Sequence, residues 1–174
     1  AVRLYHDNVL AKQSGCGRTP WHFDDHHFPL DTNDVVTAWA PAQPTPIEMG
    51  PLSFAYPLDV HELIKDVTFE KTGTGYDREV SNIFSKNNVS VNATPFELGE
   101  VSFHHNLNFH TASSNRTNCS RIALANTYYR DGARVINSPT MVSGDWQKFM
   151  PNVKPGDIAA SPLNPICWPV KSEI

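Results

Sequence analysis

Fourteen prolines stand among 174 residues, above the average of about 5%, and they fall between short apolar segments. Proline removes a backbone donor and breaks helix interiors, so this spacing limits regular elements to short pieces joined by frequent turns. Residues 35–40 (VVTAWA) read as a strand, closed by Pro41 and a Pro-rich loop reaching Pro46. Residues 52–56 read as a second strand, entered through Gly50-Pro51 and ended by Pro57. From 101 to 109 the chain alternates. Val101, Phe103, His105, Leu107 and Phe109 share one parity, while Ser102, His104, Asn106, Asn108 and His110 share the other. Residues 121–129, rich in β-branched and aromatic side chains, read as a further strand. Helical periodicity is confined to 61–67, to 77–84 with Val80, Ile83 and Phe84 on one face, and to one turn at 145–150. Residues 85–98 are polar, Asn-rich and aperiodic, which predicts a long loop. The expectation is an all-β chain with a few short helices, built as a sandwich or jelly roll.

Hydrophobic residues make up 40% of the chain, enough for a globular domain with one core. No repeat, low-complexity tract or linker divides it, so residues 1–174 are expected to form a single domain. A net charge of −4 offers no basic footprint for nucleic acid or an anionic membrane, and no apolar run approaches the ~20 residues of a membrane helix. The N-terminus lacks the basic-then-apolar run of a secretory signal. Three widely spaced cysteines, Cys16, Cys119 and Cys167, argue against a disulfide framework or a zinc knuckle and predict reduced thiols in a cytoplasmic protein. Sequons at Asn88, Asn92, Asn115 and Asn118 carry weight only in a secreted protein and are read as chance.

The segment Pro20-Trp21-His22-Phe23-Asp24-Asp25-His26-His27 is the richest in ligand types. On an extended backbone residues i and i+2 point the same way, so His22 and Asp24 can reach one ion with an imidazole nitrogen and a carboxylate oxygen. His110, at the end of the alternating segment, is the best candidate for a third ligand. Two histidines and one carboxylate on one face leave three positions open, the facial triad of non-haem iron(II) oxygenases. A His-x-Asp tripeptide alone is equally a surface turn. Arg121, eleven residues after His110, shifts the balance: that separation suits a turn and a return along the next strand. A guanidinium fork there would grip a carboxylate through two parallel hydrogen bonds, as the distal carboxylate of 2-oxoglutarate requires.

These residues, taken together, resemble the phytanoyl-CoA dioxygenase family of iron(II)/2-oxoglutarate oxygenases over most of the chain. The resemblance is carried by Thr19-Pro20-Trp21-His22-Phe23-Asp24, Val36-Thr37-Ala38-Trp39, Gly50-Pro51-Leu52-Ser53-Phe54, Gly99-Glu100 followed by His105 and His110, then Asn115 and Arg121, and Ser161-Pro162-Leu163-Asn164-Pro165. It implies a double-stranded β-helix (jelly roll, cupin-like) with iron near one mouth. It implies His22, Asp24 and His110 as ligands, Arg121 on 2-oxoglutarate, and Trp39 lining the cosubstrate pocket. Iron(II), 2-oxoglutarate and dioxygen are the implied cofactors and cosubstrates. The implied reaction is hydroxylation of a small organic molecule, coupled to oxidative decarboxylation of 2-oxoglutarate to succinate and carbon dioxide. Related halogenases replace the carboxylate ligand with a small residue, so Asp24 favours hydroxylation. The chain departs from the family in three ways. Phe23 stands where many relatives have an amide, Pro57-Leu58-Asp59 replaces a Gly-Ser-His turn, and the domain is expected to lack the N-terminal portion that helps cover the sheet in relatives.

Among the other histidines, His104 shares parity with His110 and is expected beside the metal ligands. His105 is expected in the core, satisfied by a backbone carbonyl. His6, His26, His27 and His61 are read as solvated, as is Lys12, and Asp25 is expected to face away from His22. Two other classes stay open. One is a jelly-roll binding module without catalysis. The other is a dinuclear metallohydrolase, faintly suggested by His22-x-Asp24-Asp25-His26-His27, whose fold would alternate strands with long helices.

Overall fold

The computed structural model describes residues 1–137 and 143–169. In chain order the strands are β1 (Val2–Lys12), β2 (Thr19–His22), β3 (Val35–Pro41), β4 (Leu52–Tyr56), β5 (Ser90–Ala93), β6 (Ser102–His105), β7 (His110–Ala112), β8 (Arg121–Arg130) and β9 (Ile166–Trp168). Two helices, α1 (Val60–Ile64) and α2 (Gly75–Asn87), both lie between β4 and β5. The strands form two antiparallel sheets, one ordered β6-β3-β8-β1-β9 and the other β2-β7-β4-β5. The expected mostly-β, double-stranded β-helix architecture is the one observed. The helices do not alternate with the strands, as the metallohydrolase alternative requires. Among the described residues no helix is long and apolar enough to cross a membrane.

Strand β8 is the spine, paired along its length with β1 on one side and β3 on the other. Its residues alternate strictly between buried and less buried, with Arg121, Ala123, Ala125, Thr127 and Tyr129 facing inward. Strand β3 alternates in step, with Val35, Thr37, Trp39 and Pro41 inward. Between the sheets Trp39, Leu52, Phe96, Ala112, Ala123 and Ala125 form one apolar cluster. The alanines leave room there that larger side chains would fill. A second cluster seats the helices through Tyr76, Val80 and Phe84, spaced by four on one face of α2, against Phe23, Ala55 and Phe109. A third gathers Tyr5, Phe28, Val35, Tyr129, Trp146 and Met150 at the other end.

Three expectations are corrected, and one strand is new. The 101–109 segment is not one strand: β6 ends at His105 and β7 begins at His110, in the other sheet. Asn106 and Asn108 make the crossing possible, because their buried amides donate to the Asp25 carboxylate (3.0 Å) and the Ala55 carbonyl (3.4 Å). Residues 85–98 hold the end of α2 and strand β5, paired with β4, where a loop was expected. Strand β1, which no periodicity revealed, is the longest in the fold, and a register shift between Leu4 and His6 breaks its alternation. Finally, β7 and β8 lie in different sheets, so Arg121 returns by crossing between sheets and not along the strand next to His110.

Gly50 couples the sheets. It adopts φ +73°, and a Cβ there would stand 2.3 Å from the Ser113 carbonyl oxygen. Its own carbonyl accepts from the Arg121 guanidinium. Gly50→Ala is expected to destabilise the fold by about 2 kcal/mol or more, combining left-handed strain with this clash. Urea unfolding monitored by circular dichroism would show a lower midpoint at unchanged slope.

Candidate metal centre and cosubstrate cavity

His22 ends β2, and Phe23 continues extended (φ −122°, ψ 148°) before a 3-10 turn over Asp24–His27. The extended link turns His22 and Asp24 to one side and Phe23 to the other, where Phe23 packs into the helix-side cluster. His110 opens β7 directly opposite His22 in the β2–β7 ladder, with ring centroids 4.2 Å apart. Ladder pairing therefore supplies the long-range partner. One ligand atom from each of His22, Asp24 and His110 lies within 4.8 Å of the others. Asp24 Oδ1 is 3.7 Å from His22 Nε2 and 3.8 Å from His110 Nε2. Donors each about 2.0–2.2 Å from an ion sit at most about 4.4 Å apart, so the two separations from Asp24 admit a shared cation.

The donor chemistry fits a metal as well. His22 Nδ1 donates to the Pro20 carbonyl at 2.8 Å, and His110 Nδ1 donates to the Asn108 carbonyl at 2.9 Å. Both contacts run two residues back, and both leave an Nε2 lone pair aimed at Asp24. Burial, reinforced by neighbouring imidazoles, pushes His110 down to about 3. Burial likewise lowers His22. Burial opposes the charge on Asp24, but the imidazoles of His110, His104 and His22 outweigh it and hold its carboxyl far below the usual range. At neutral pH the set is two neutral imidazoles around one carboxylate, the protonation state a divalent cation requires.

A cavity of about 260 Å³ runs from this cluster between the sheets, lined among others by Thr37, Trp39, Leu52, Ala125 and Arg121. Arg121 and Trp39, both buried, are in contact: the guanidinium carbon lies 5.2 Å from the indole centroid. Arg121 Nε and Trp39 Nε1 are buried donors without protein partners. Buried donors are rarely left unpaired, so this end of the cavity fits a ligand rich in acceptor oxygens. 2-Oxoglutarate, with a carboxylate at each end, has that chemistry.

The structure thus gathers His22, Asp24, His110, Trp39 and Arg121 around one cavity. His104 comes to the same place from the opposite sheet, its Nε2 3.5 Å from Asp24 Oδ2. Asp25 turns away, as expected, and accepts from Asn106. His105 is half-buried, and its Nδ1 accepts from the Leu107 N–H at 3.2 Å, so it is not a carbonyl-satisfied core residue. His6 is not solvated: it packs against Tyr5, Phe28 and Phe149 and borders the cavity. Lys12 is also buried, at 5% exposure, and its Nζ donates to the Ser113 carbonyl at 2.7 Å. It sits opposite Arg121 in the β1–β8 ladder, and burial next to that guanidinium pushes it down to about 8. Thr37 belongs to the Val36–Trp39 motif but has no role of its own in the sequence analysis. Its signal was parity, because it lies two residues before Trp39 on the same strand face.

Asn115 anchors the loop that delivers Arg121. Its amide nitrogen donates to the Lys12 and Cys119 carbonyls at 2.9 and 2.8 Å, and its oxygen accepts from the Thr117 backbone and hydroxyl. Asn115→Ala is expected to cost about 2 kcal/mol or more, since it strands buried carbonyls. Equilibrium denaturation is the check.

Comparison with known proteins agrees with this geometry. The family model described as phytanoyl-CoA dioxygenase (PhyH) matches residues 1–123, a stretch that includes His22, Asp24, His110 and Arg121. No curated protein sequence matches the chain. Among solved structures, it is similar to the non-heme alpha ketoglutarate dependent carbocyclase SnoK from nogalamycin biosynthesis, at 24% identity and a TM-score of 0.72 over 94% of this chain and 61% of that one. It is also similar to the epimerase SnoN in complex with Fe3+, alpha ketoglutarate and nogalamycin RO (21% identity, TM-score 0.70, 94% and 64% coverage). The non-heme monooxygenase ThoJ in its Ni complex is a third (18% identity, TM-score 0.56, 90% and 58% coverage). The chain therefore spans about six-tenths of the length of these proteins, and at such identities the likeness establishes the fold. With the family model covering well over half of its residues, the chain belongs to the phytanoyl-CoA dioxygenase family of iron(II)/2-oxoglutarate-dependent oxygenases.

Proposed function

We propose that this chain forms one double-stranded β-helix oxygenase domain that hydroxylates a small organic substrate while 2-oxoglutarate is decarboxylated to succinate and carbon dioxide. The observation that carries this reading is the convergence of two kinds of group on one cavity. His22, Asp24 and His110 turn unprotonated donor atoms toward each other, and Arg121 Nε and Trp39 Nε1 lie buried without partners. Iron(II), when bound, supplies the redox chemistry with dioxygen, and the protein supplies binding, orientation and exclusion of water.

Each residue has a defined task. His22 and His110 offer Nε2, with their rings held by backbone carbonyls. Asp24 offers Oδ1 and neutralises part of the charge of a divalent ion. Three protein donors would leave a bound cation open to the cosubstrates on the side facing the cavity. Arg121 pairs with the distal carboxylate of 2-oxoglutarate, and the Trp39 indole donates to an oxygen along the same wall. Phe54, whose ring centroid lies 5.4 Å from His104 and 6.0 Å from His110, shields the histidines from water. Ala112 and Ala125 leave the space that the cosubstrate fills.

Anaerobic addition of iron(II) and 2-oxoglutarate to the chain is expected to give a weak visible charge-transfer band, and aerobic turnover with an accepted substrate should yield succinate and a product heavier by one oxygen. His110→Ala should abolish the band by loss of iron, and retention of full iron affinity would remove His110 from the ligand set. Arg121→Ala should leave iron affinity intact and weaken 2-oxoglutarate roughly 10- to 100-fold, the worth of lost charge-assisted hydrogen bonds. Unchanged 2-oxoglutarate affinity would overturn the role of Arg121.

A further inference from the structure

We propose that Thr37 and His104 are positioning residues that hold Oδ2 of Asp24 away from the metal position and so restrict Asp24 to binding through Oδ1 alone. The inference rests on the reading of Asp24 as a metal ligand. It starts from an in-register row across three strands. Thr127 of β8 pairs with Thr37 of β3, and Thr37 pairs with His104 of β6. All three are buried and face the cavity. Thr37 Oγ1 lies 3.2 Å from Asp24 Oδ2 and 3.0 Å from Thr127 Oγ1. His104 Nε2 lies 3.5 Å from the same Oδ2. Oδ1, by contrast, faces His22 and His110.

The direction of the row follows from hydrogen inventory. An ionised carboxylate only accepts, so Thr37 must donate its one hydroxyl proton to Oδ2 and must therefore accept from Thr127. Nε2 of His104, if it carries the proton, adds a second donor to the same oxygen, with Ser102 Oγ 3.4 Å from Nδ1 on the far side. Packing does not explain these residue types. Valine has the shape of threonine and would fill the same inward sites of β3 and β8, whereas a buried hydroxyl is costly unless it is bonded. Rotation of the Asp24 carboxylate to present both oxygens would break the bond from Thr37 and separate His104 from its acceptor. A carboxylate bound through both oxygens would also occupy a coordination position that the cosubstrates need.

Cobalt(II) can be titrated in place of iron(II) into the whole chain, and its visible bands report ligand number without turnover. Thr37→Val is expected to lower cobalt affinity about tenfold, within the range for partners of metal ligands, and to alter the visible bands. Thr37→Ser should restore both, which a purely structural role of the threonine methyl would not. His104→Phe should act in the same direction, and Thr127→Val more weakly. If Thr37→Val fails to fold, Thr127→Val carries the comparison. Wild-type affinity and bands in both Thr37→Val and His104→Phe, with cobalt binding lost in His110→Ala, would overturn this inference alone. Absence of cobalt binding by the unaltered chain would overturn the metal-centre reading and this inference with it.

Discussion

A largely buried carboxylate, that of Asp24, stands between the two β-sheets, and the site is arranged around it. Removing such an ion from water costs several kcal/mol unless other groups replace its hydration. Thr37 and His104 supply part of that replacement. The four-stranded sheet brings His22 and His110 to one oxygen, and the five-stranded sheet brings Thr37 and His104 to the other. The requirement also explains why a run of inward positions that could be apolar instead holds threonines and histidines.

The cavity grades from this centre to a cationic end. Arg121, which pairs with Lys12 in the β1–β8 ladder, stands at one end, and the imidazole cluster stands at the other. Between them the alanines of β8 and β7 give width, and Trp39 gives a flat wall on which the guanidinium stacks. Arg121 is oriented from several directions. Gly50 offers it a carbonyl, Trp39 a ring face, and the Asn115-anchored loop fixes where its strand begins. Much of the binding geometry for a dicarboxylate is therefore built into the fold before any ligand arrives.

Much of this was legible in the residues themselves. Strands β3, β4 and β8 follow from short β-prone runs bounded by proline and glycine, and α2 follows from its apolar spacing. His22 and Asp24 follow from an extended tripeptide, and the separation of His110 and Arg121 pointed to two residues that the fold brings to one cavity, although by a different route from the one expected. Less was legible where parity fails or where the chain changes sheets. The bulge at Tyr5 hid β1, the longest strand, and with it the inward placement of His6 and Lys12. The Asn106–Asn108 crossing hid the fact that His104 and His110 approach from opposite sides.

The sequence by itself determined the donor types and the local geometry of the pair His22 and Asp24, because side-chain chemistry and the two-residue period of an extended backbone are local properties. It also determined the family, since the motif residues recur at recognisable spacings. Tertiary structure alone set the sides from which the two imidazoles approach the carboxylate, for His104 and His110 have the same parity and differ in the sheet that carries them. It alone decided that Thr37 lies against Asp24 and that Lys12 is buried. Register between strands distant in the chain sets both outcomes, and that register depends on bulges and crossings whose energies come from contacts formed only in the folded molecule.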